Sequence, residues 1–334
     1  MKRKIFLTFI IYAGIVFIFC QILNYVFPSE SIVFQRQLVD NIIQKKDDIQ
    51  SLTFGRSHGT SIDYNYWDYK GVNFSMGGED IASIKYEVEY AVPELKNLKE
   101  VIICISYSSL YFDNEALSHG NLNDARKAVY ASIPSFKLIS PNDYNNLVFG
   151  KMFAFMHAEY GFKELMNVFK RKDIAANSIV GEVQTHLVLD SLGILKSAKI
   201  QAFDHSRDKI SALEYNPKIL EQYVNHLTDI ALYLKSKNVK CIFFSAPYYK
   251  AYTDLYPKAD IRETELQIKN ICLKTGSSYY NFSRLSKMAN NISLFANADH
   301  LNTTGHKEFS KLFSNVLHDN NSAKYDLNGA GIIK

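Results

Sequence analysis

The sequence predicts an α/β fold: a three-layer sandwich with a mostly parallel sheet, plus an N-terminal transmembrane helix and a helical insertion. Three observations carry this. The stretch Ile5–Phe27 is 23 residues without a charge. Short continuous apolar runs, Val101–Ile105 and Cys241–Phe244, have the composition of strands buried on both faces. Beside such runs, apolar residues recur at helical spacing, as in Ile81, Ile84 and Val88 before Val101. Strands alternating with helices give a parallel sheet covered on both sides.

Composition narrows the function classes. Of 334 residues, 47% are hydrophobic and 22% charged, which excludes wholesale disorder and suits one large domain or two modest ones. A net charge of +4 is too weak to argue for nucleic acid as a partner. Tyr and Phe, 22 of each, are enough to fill a core or line a sugar-binding surface.

The first element is the apolar run at 5–27, long enough to cross a bilayer that needs about 20 residues. A cleaved signal peptide has a shorter apolar core ending at small residues, whereas Tyr25, Val26 and Phe27 close this one. Phe19 and Ile18 stand where a lipoprotein anchor on Cys20 needs small residues. Lys2, Arg3 and Lys4 favour a cytoplasmic N-terminus. The expectation is a single-pass protein of the cytoplasmic membrane with its main domain on the extracytoplasmic side.

A polar linker, 28–48, is expected next, with helical character around Val33–Ile43. The α/β domain then covers 49–318. Leu52–Phe54 reads as a strand entering Gly55-Arg56-Ser57-His58-Gly59, a strand-to-turn junction. Gly71–Ser75 reads as a second strand, followed by Gly77 and Gly78. A helix over Asp80–Val92 stops at Pro93. Residues 112–215 break the rhythm and read as an insertion, a cap or lid. Within it, Phe149–Met156 looks helical, and Asp204-His205-Ser206-Arg207 reads as a loop salt bridge. Asn216-Pro217 starts a helix whose buried face is Ile219, Leu220, Tyr223, Leu227, Ile230, Ala231 and Leu234. A helix over Asp260–Thr275 ends at Gly276, before the strand Tyr279–Phe282. The last helix follows Thr303-Thr304 and packs through Phe309, Leu312, Phe313 and Val316; a flexible tail, 319–334, is expected after it. Cys20, Cys104, Cys241 and Cys272 read as buried thiols, and no Cys/His cluster has metal-ligand spacing.

Function in open α/β sheets sits at the carboxyl ends of strands. Ser57, the Gly77-Gly78 pair and His300 all fall there. A serine needs a base to become a nucleophile, and His is the usual one. The base needs a partner to fix its tautomer, which Asp299 or Asn297 could supply. Backbone N–H groups at Ser57 and at Gly77 or Gly78 are candidate oxyanion donors.

These blocks resemble the SGNH hydrolase superfamily. Gly55-Arg56-Ser57-His58 is similar to its first block, in the form of the membrane-anchored alginate-type acetyltransferases and the D-alanine transfer protein of teichoic acids. Asn73-Phe74-Ser75 with Gly77-Gly78 resembles the second block, Ser245-Ala246-Pro247 the strand-end proline segment, and Phe295–Gly305 the last block, which supplies His300. Three positions depart from the pattern. Arg56 replaces the usual Asp, Asn297 stands where the last block has Asp, and Ser106 occupies the region of the third-block Asn.

The resemblance implies acyl transfer, with acetyl as the acyl group, to a polysaccharide or other cell-envelope glycan. It also implies a membrane-bound acyltransferase partner and no metal or organic cofactor. Ser57 is the expected nucleophile and His300 the base, oriented by Asn297 or Asp299. Gly77, Gly78, Ser106 and His58 are expected around the oxyanion and substrate. A carbohydrate esterase, and a catalytically inactive glycan-binding scaffold, are the alternative readings.

Overall fold

In the computed structural model, which describes residues 2–26, 30–114, 123–141, 143–153, 189–319 and 325–333, the apolar runs pair into one sheet. Its strands are β1 (Ser51–Phe54), β2 (Gly71–Asn73), β3 (Glu100–Cys104), β4 (Lys240–Ser245), β5 (Ser278–Asn281) and β6 (Gly331–Ile333). Their spatial order is β2-β1-β3-β4-β5-β6. β1 to β5 run parallel, with Phe54 beside Ile103 and Ile103 beside Phe243. β6 runs antiparallel to β5. Residues 331–333 thus depart from the flexible tail expected there: Ile332 sits opposite Tyr280, and ladder pairing holds the segment on the sheet edge.

The described helices are α1 (Lys2–Val26), α2 (Glu30–Lys45), α3 (Ile81–Ala91), α4 (Asn123–Ser132), α5 (Tyr144–Met152), α6 (Ser191–Tyr215), α7 (Ile219–Ser236), α8 (Lys250–Leu255), α9 (Lys258–Thr275), α10 (Ser286–Ala289) and α11 (Thr303–His318). Strand side chains alternate between two faces. Val101, Ile103, Cys241, Phe243 and Tyr279 meet Ile84 and Val88 of α3, Leu227 and Ile230 of α7, and Ile268 of α9. Ile102, Cys104, Ile242, Phe244 and Tyr280 meet Phe309 and Phe313 of α11. Helices therefore cover both faces, and each fully buried Phe or Ile contributes roughly 1.5–3 kcal/mol. The ends follow local chemistry: the Asp80 side chain caps α3 by accepting from Ser83 N, and Gly276 ends α9 at φ +79°. Asn216 separates α6 from α7, where the sequence places a helix start.

The helix α1 is long and apolar enough, over Arg3–Tyr25, to span a membrane, and its apolar side chains from Ile5 to Phe19 are exposed. Only its last turns are covered: Gln21 Nε2 and Asn24 Nδ2 donate to the Lys151 carbonyl of α5 at 2.9 and 3.2 Å. The helical character expected around Val33–Ile43 is met by α2, which also packs on the domain. Leu38 and Ile42 enter the main core, and buried Gln35 donates to Glu87 at 3.0 Å. Its apolar residues recur at helical spacing, so tertiary burial wins over its polar composition.

The insertion is helical where it is described. α4 packs on α2, and α5 packs on α4. α6 lies on the face of α8. The expected helix around Phe149–Met156 is met as far as Met152; residues 154–156 lie outside the described residues.

Candidate active site

The sheet order reverses direction between β1 and β3, the switch point beside whose carboxyl strand ends ligands bind in open α/β sheets. β1 runs out at Phe54 into Gly55, whose φ of +151° suits glycine; a Cβ there would lie 2.6 Å from Cys104 Cβ. The chain then winds into a short 3-10 turn, Ser57–Ser61. Gly59 lets this turn press on the loop after β2, because a Cβ would meet Ser75 Oγ at 2.2 Å. Asn73 clamps the two together: its Nδ2 donates to the carbonyls of Gly59 and Ile62 at 2.9 and 2.8 Å.

The opposing residues come from the loop before α11. Asn302 caps α11 by accepting from Gly305 N at 3.0 Å, and its Nδ2 holds the Ser293 carbonyl at 2.8 Å. Asn297 Oδ1 accepts from the backbone N–H groups of His300 and Asp299 at 2.8 and 3.2 Å. The loop thereby turns His300 toward Ser57.

His300 Nε2 lies 2.7 Å from Ser57 Oγ. Its Nδ1 is 2.9 Å from Asp299 Oδ1 and 3.1 Å from Asn297 Oδ1. Both candidate orienting residues therefore reach the imidazole. With the proton on Nδ1, Nε2 is free to accept the serine proton. Asp299 is buried, and its other oxygen, Oδ2, is 3.1 Å from His58 Nε2. The His58 ring stacks on the His300 ring, with centroids 4.5 Å apart and planes 10° off parallel.

Electrostatics follow this burial. Burial by itself raises the Asp299 carboxyl, but the His300 and His58 imidazoles outweigh it and hold the group well below the usual carboxylate range. Burial and the neighbouring His300 push His58 down to about 4, so it is neutral near pH 7.

The remaining expected residues divide. Gly77 and Gly78 form the turn after β2, with Gly78 at φ +74° and its carbonyl accepting from Asn114 Nδ2 at 2.9 Å. Neither forms a hydrogen bond to Ser57 or His300. Ser106 is buried, and its hydroxyl pairs with Ser109 Oγ at 2.8 Å, inside its own turn. Its neighbour Ser108 touches the first block instead, accepting from Arg56 Nη1 at 2.8 Å.

His205 was not legible as a site residue. The expected loop salt bridge at Asp204–Arg207 is instead part of α6, which brings His205 Nδ1 to 2.9 Å from Tyr252 Oη and 3.9 Å from Asp299 Oδ2. The signal lay in spacing: Ile194, Ala198 and Ala202 form a buried stripe that continues through His205 to Ala212.

Ligand atoms of His58, Asp299 and His300 lie within 4.8 Å of one another, a separation a metal ion would also tolerate. Hydrogen bonds among the three, and from His300 to Ser57, account for that proximity. The cleft at Ser57 is small, about 180 Å³, walled by Ala246, Pro247 and Leu301. Larger spaces, about 1050 and 1730 Å³ on the same measure, lie at the amino ends of β3 to β5 and beside α2, and neither is lined by Ser57 or His300, so size does not mark the chemistry. No family model matches this sequence, and no curated protein matches it either.

Proposed function

We propose that this protein is a membrane-anchored, serine-dependent enzyme with an SGNH-like catalytic domain that transfers acetyl groups to a cell-envelope or exported polysaccharide. The observation that carries the reading is the chain Ser57 Oγ–His300 Nε2, 2.7 Å, continued from His300 Nδ1 to Asp299 Oδ1, 2.9 Å. In this reading Ser57 attacks the acyl carbonyl as His300 takes its proton, and the Asp299 carboxylate stabilises the imidazolium. The proton passes to the leaving group, and an acyl-serine remains. His300 then removes the proton of a sugar hydroxyl, which attacks the acyl-serine and frees Ser57.

The Ser57 backbone N–H, at the open start of a 3-10 turn, is the first oxyanion donor; Gly77 or Gly78 supplies a second once substrate is bound. Each such donor is worth about 3–4 kcal/mol. Acetyl as the acyl group is what the sequence resemblance implies. The apolar helix α1 supports anchoring, and Lys2, Arg3 and Lys4 favour a cytoplasmic N-terminus. That orientation sets the domain beside the outer surface, where a membrane-bound acyltransferase partner would deliver the acyl group.

The engaged Nδ1 of His300 weighs against the inactive, glycan-binding reading. An esterase would use the same residues with water as acceptor, so the acceptor decides between the two. The test incubates the full chain in detergent with an activated acetyl ester and an oligosaccharide. Acetyl gained by the glycan, and lost with Ser57→Ala, supports transfer. Acetyl lost from a pre-acetylated glycan makes it an esterase, and neither outcome overturns both.

A further inference from the structure

The outer end of α1 is built differently from the rest of the helix. From Ile5 to Phe19 the helix is exposed throughout, whereas its last turns carry two amides, Gln21 and Asn24. An amide is costly in hydrocarbon unless it is paired. Both are paired, and with one atom: Gln21 Nε2 and Asn24 Nδ2 donate to the Lys151 carbonyl at 2.9 and 3.2 Å. That carbonyl lies in the last turn of α5, where helix carbonyls lack an intrahelical donor. Arg36 of α2 serves the end of α1 in the same way, its Nη1 donating to the Asn24 carbonyl at 3.3 Å. The apolar helix, α2 and α5 are thus joined at one level.

Helix geometry sets that level. From Arg3 to Asn24 an α-helix rises roughly 30 Å, about the thickness of the hydrocarbon core of a bilayer. Asn24 therefore reaches the outer boundary of that core when Lys2, Arg3 and Lys4 stay at the inner one. The surroundings of Asn24 have the chemistry of such a boundary. Tyr25, Phe136 and Phe149 are exposed by 82%, 75% and 38%, although all three are aromatic. The Lys151 ammonium lies 5.2 Å from the centre of the Phe136 ring. Aromatic rings beside a lysine are the composition of a membrane interface, where the ring meets the acyl chains and the cation meets phosphate. Phe136, Phe149 and Lys151 belong to the insertion, far from α1 in sequence.

We propose that Phe136, Phe149 and Lys151 form a second membrane contact of this protein, seated among the phospholipid headgroups of the outer leaflet beside the end of α1. The proposal rests on the reading of α1 as a membrane span. It also gives part of the insertion a role. Because α2 packs into the main core through Leu38 and Ile42, the contact holds the α/β domain in a fixed attitude on the bilayer rather than on a free tether.

The test uses the full chain in phosphatidylcholine nanodiscs. Bromine, which quenches tryptophan, is placed on the lipid either near the headgroup or near the bilayer centre. The sequence has one tryptophan, Trp67, which is buried and serves as the background. Two single variants each add a reporter at an exposed site: Phe136→Trp in the proposed contact, and Ile11→Trp near the middle of α1. Ile11→Trp should lose emission most to the deep bromine and Phe136→Trp most to the shallow bromine, while the Trp67 background changes with neither. If Ile11→Trp escapes deep quenching, α1 does not span and both readings fall. If Ile11→Trp is quenched and Phe136→Trp is not, α1 spans and the second contact alone is overturned. That face is then left to a protein partner, which lipid-only nanodiscs lack.

Discussion

Asp299 Oδ2 lies 3.1 Å from His58 Nε2, while Oδ1 of the same carboxylate faces His300 Nδ1 at 2.9 Å. Side chains of adjacent residues normally diverge, so Asp299 needs a second hold to serve the imidazole next to it in sequence. His58 supplies that hold, with its ring stacked on the His300 ring. Under the proposed function, this geometry makes it a positioning residue rather than a reacting one.

His58→Ala should therefore slow ester turnover roughly 10- to 100-fold. It should also move the acid limb of the pH–rate profile upward, because Asp299 then concentrates more charge on Oδ1. His58→Gln, which keeps a donor, should recover part of the rate. A profile of unchanged shape in His58→Ala would remove the positioning role.

The two partners of His300 Nδ1 should be unequal. Asp299→Asn removes the charge that stabilises the imidazolium and should lower kcat/KM roughly 10²- to 10⁴-fold. Asn297→Ala removes a neutral acceptor and a loop clamp, and should cost roughly tenfold. Kinetics with a chromogenic acetyl ester give both numbers; a larger loss in Asn297→Ala would reverse the assignment.

Three buried histidines should make the fold acid-sensitive. Burial pushes His58 and His306 down to about 4 and His205 down to about 3. The unfolded chain takes up their protons near the ordinary value of about 6.5, before the folded chain does, so stability falls as pH drops from there toward 4. Each group contributes on the order of 3 kcal/mol to that fall. Buried Glu79 and Glu87 act in the opposite direction: burial raises both carboxyls, Glu87 to about 7, so the folded chain takes up their protons first and gains stability as pH falls. The histidine contribution is therefore read as a difference: in thermal melts between pH 7 and 4.5, acidification should lower Tm less, or raise it more, in His306→Gln than in the wild-type chain. Parallel slopes would contradict this.

Gly55→Ala should destabilise the domain by roughly 1–3 kcal/mol, since it combines a disfavoured φ with a clash against Cys104. Urea unfolding measures it. A fully folded, fully stable variant would mean that the junction yields more than its packing suggests.

Much of this architecture was legible because the responsible patterns are local. Continuous apolar runs marked β3 and β4, and the stripe from Ile219 to Leu234 marked α7, with only Leu220 left partly exposed. Ser57 was legible because it follows a strand end beside glycine, and His300 because it lies just before a helix cap. The choice between Asp299 and Asn297 was not, because it depends on His58, 241 residues away from Asp299. The helical character of α2 was legible, but its packing on the core was not, and β6 was missed for a related reason: both are held by tertiary contacts that a polar composition conceals. His205 is near Asp299 only through the packing of α6 against α8.

The central claim is that Ser57 is a nucleophile activated by His300. Its most direct test is mass spectrometry of the full chain after brief exposure to an activated acetyl ester. The account predicts one acetyl adduct on the peptide containing Ser57, absent in Ser57→Ala and strongly slowed in His300→Ala. An adduct that persists in Ser57→Ala, or none in the wild-type chain, would contradict it.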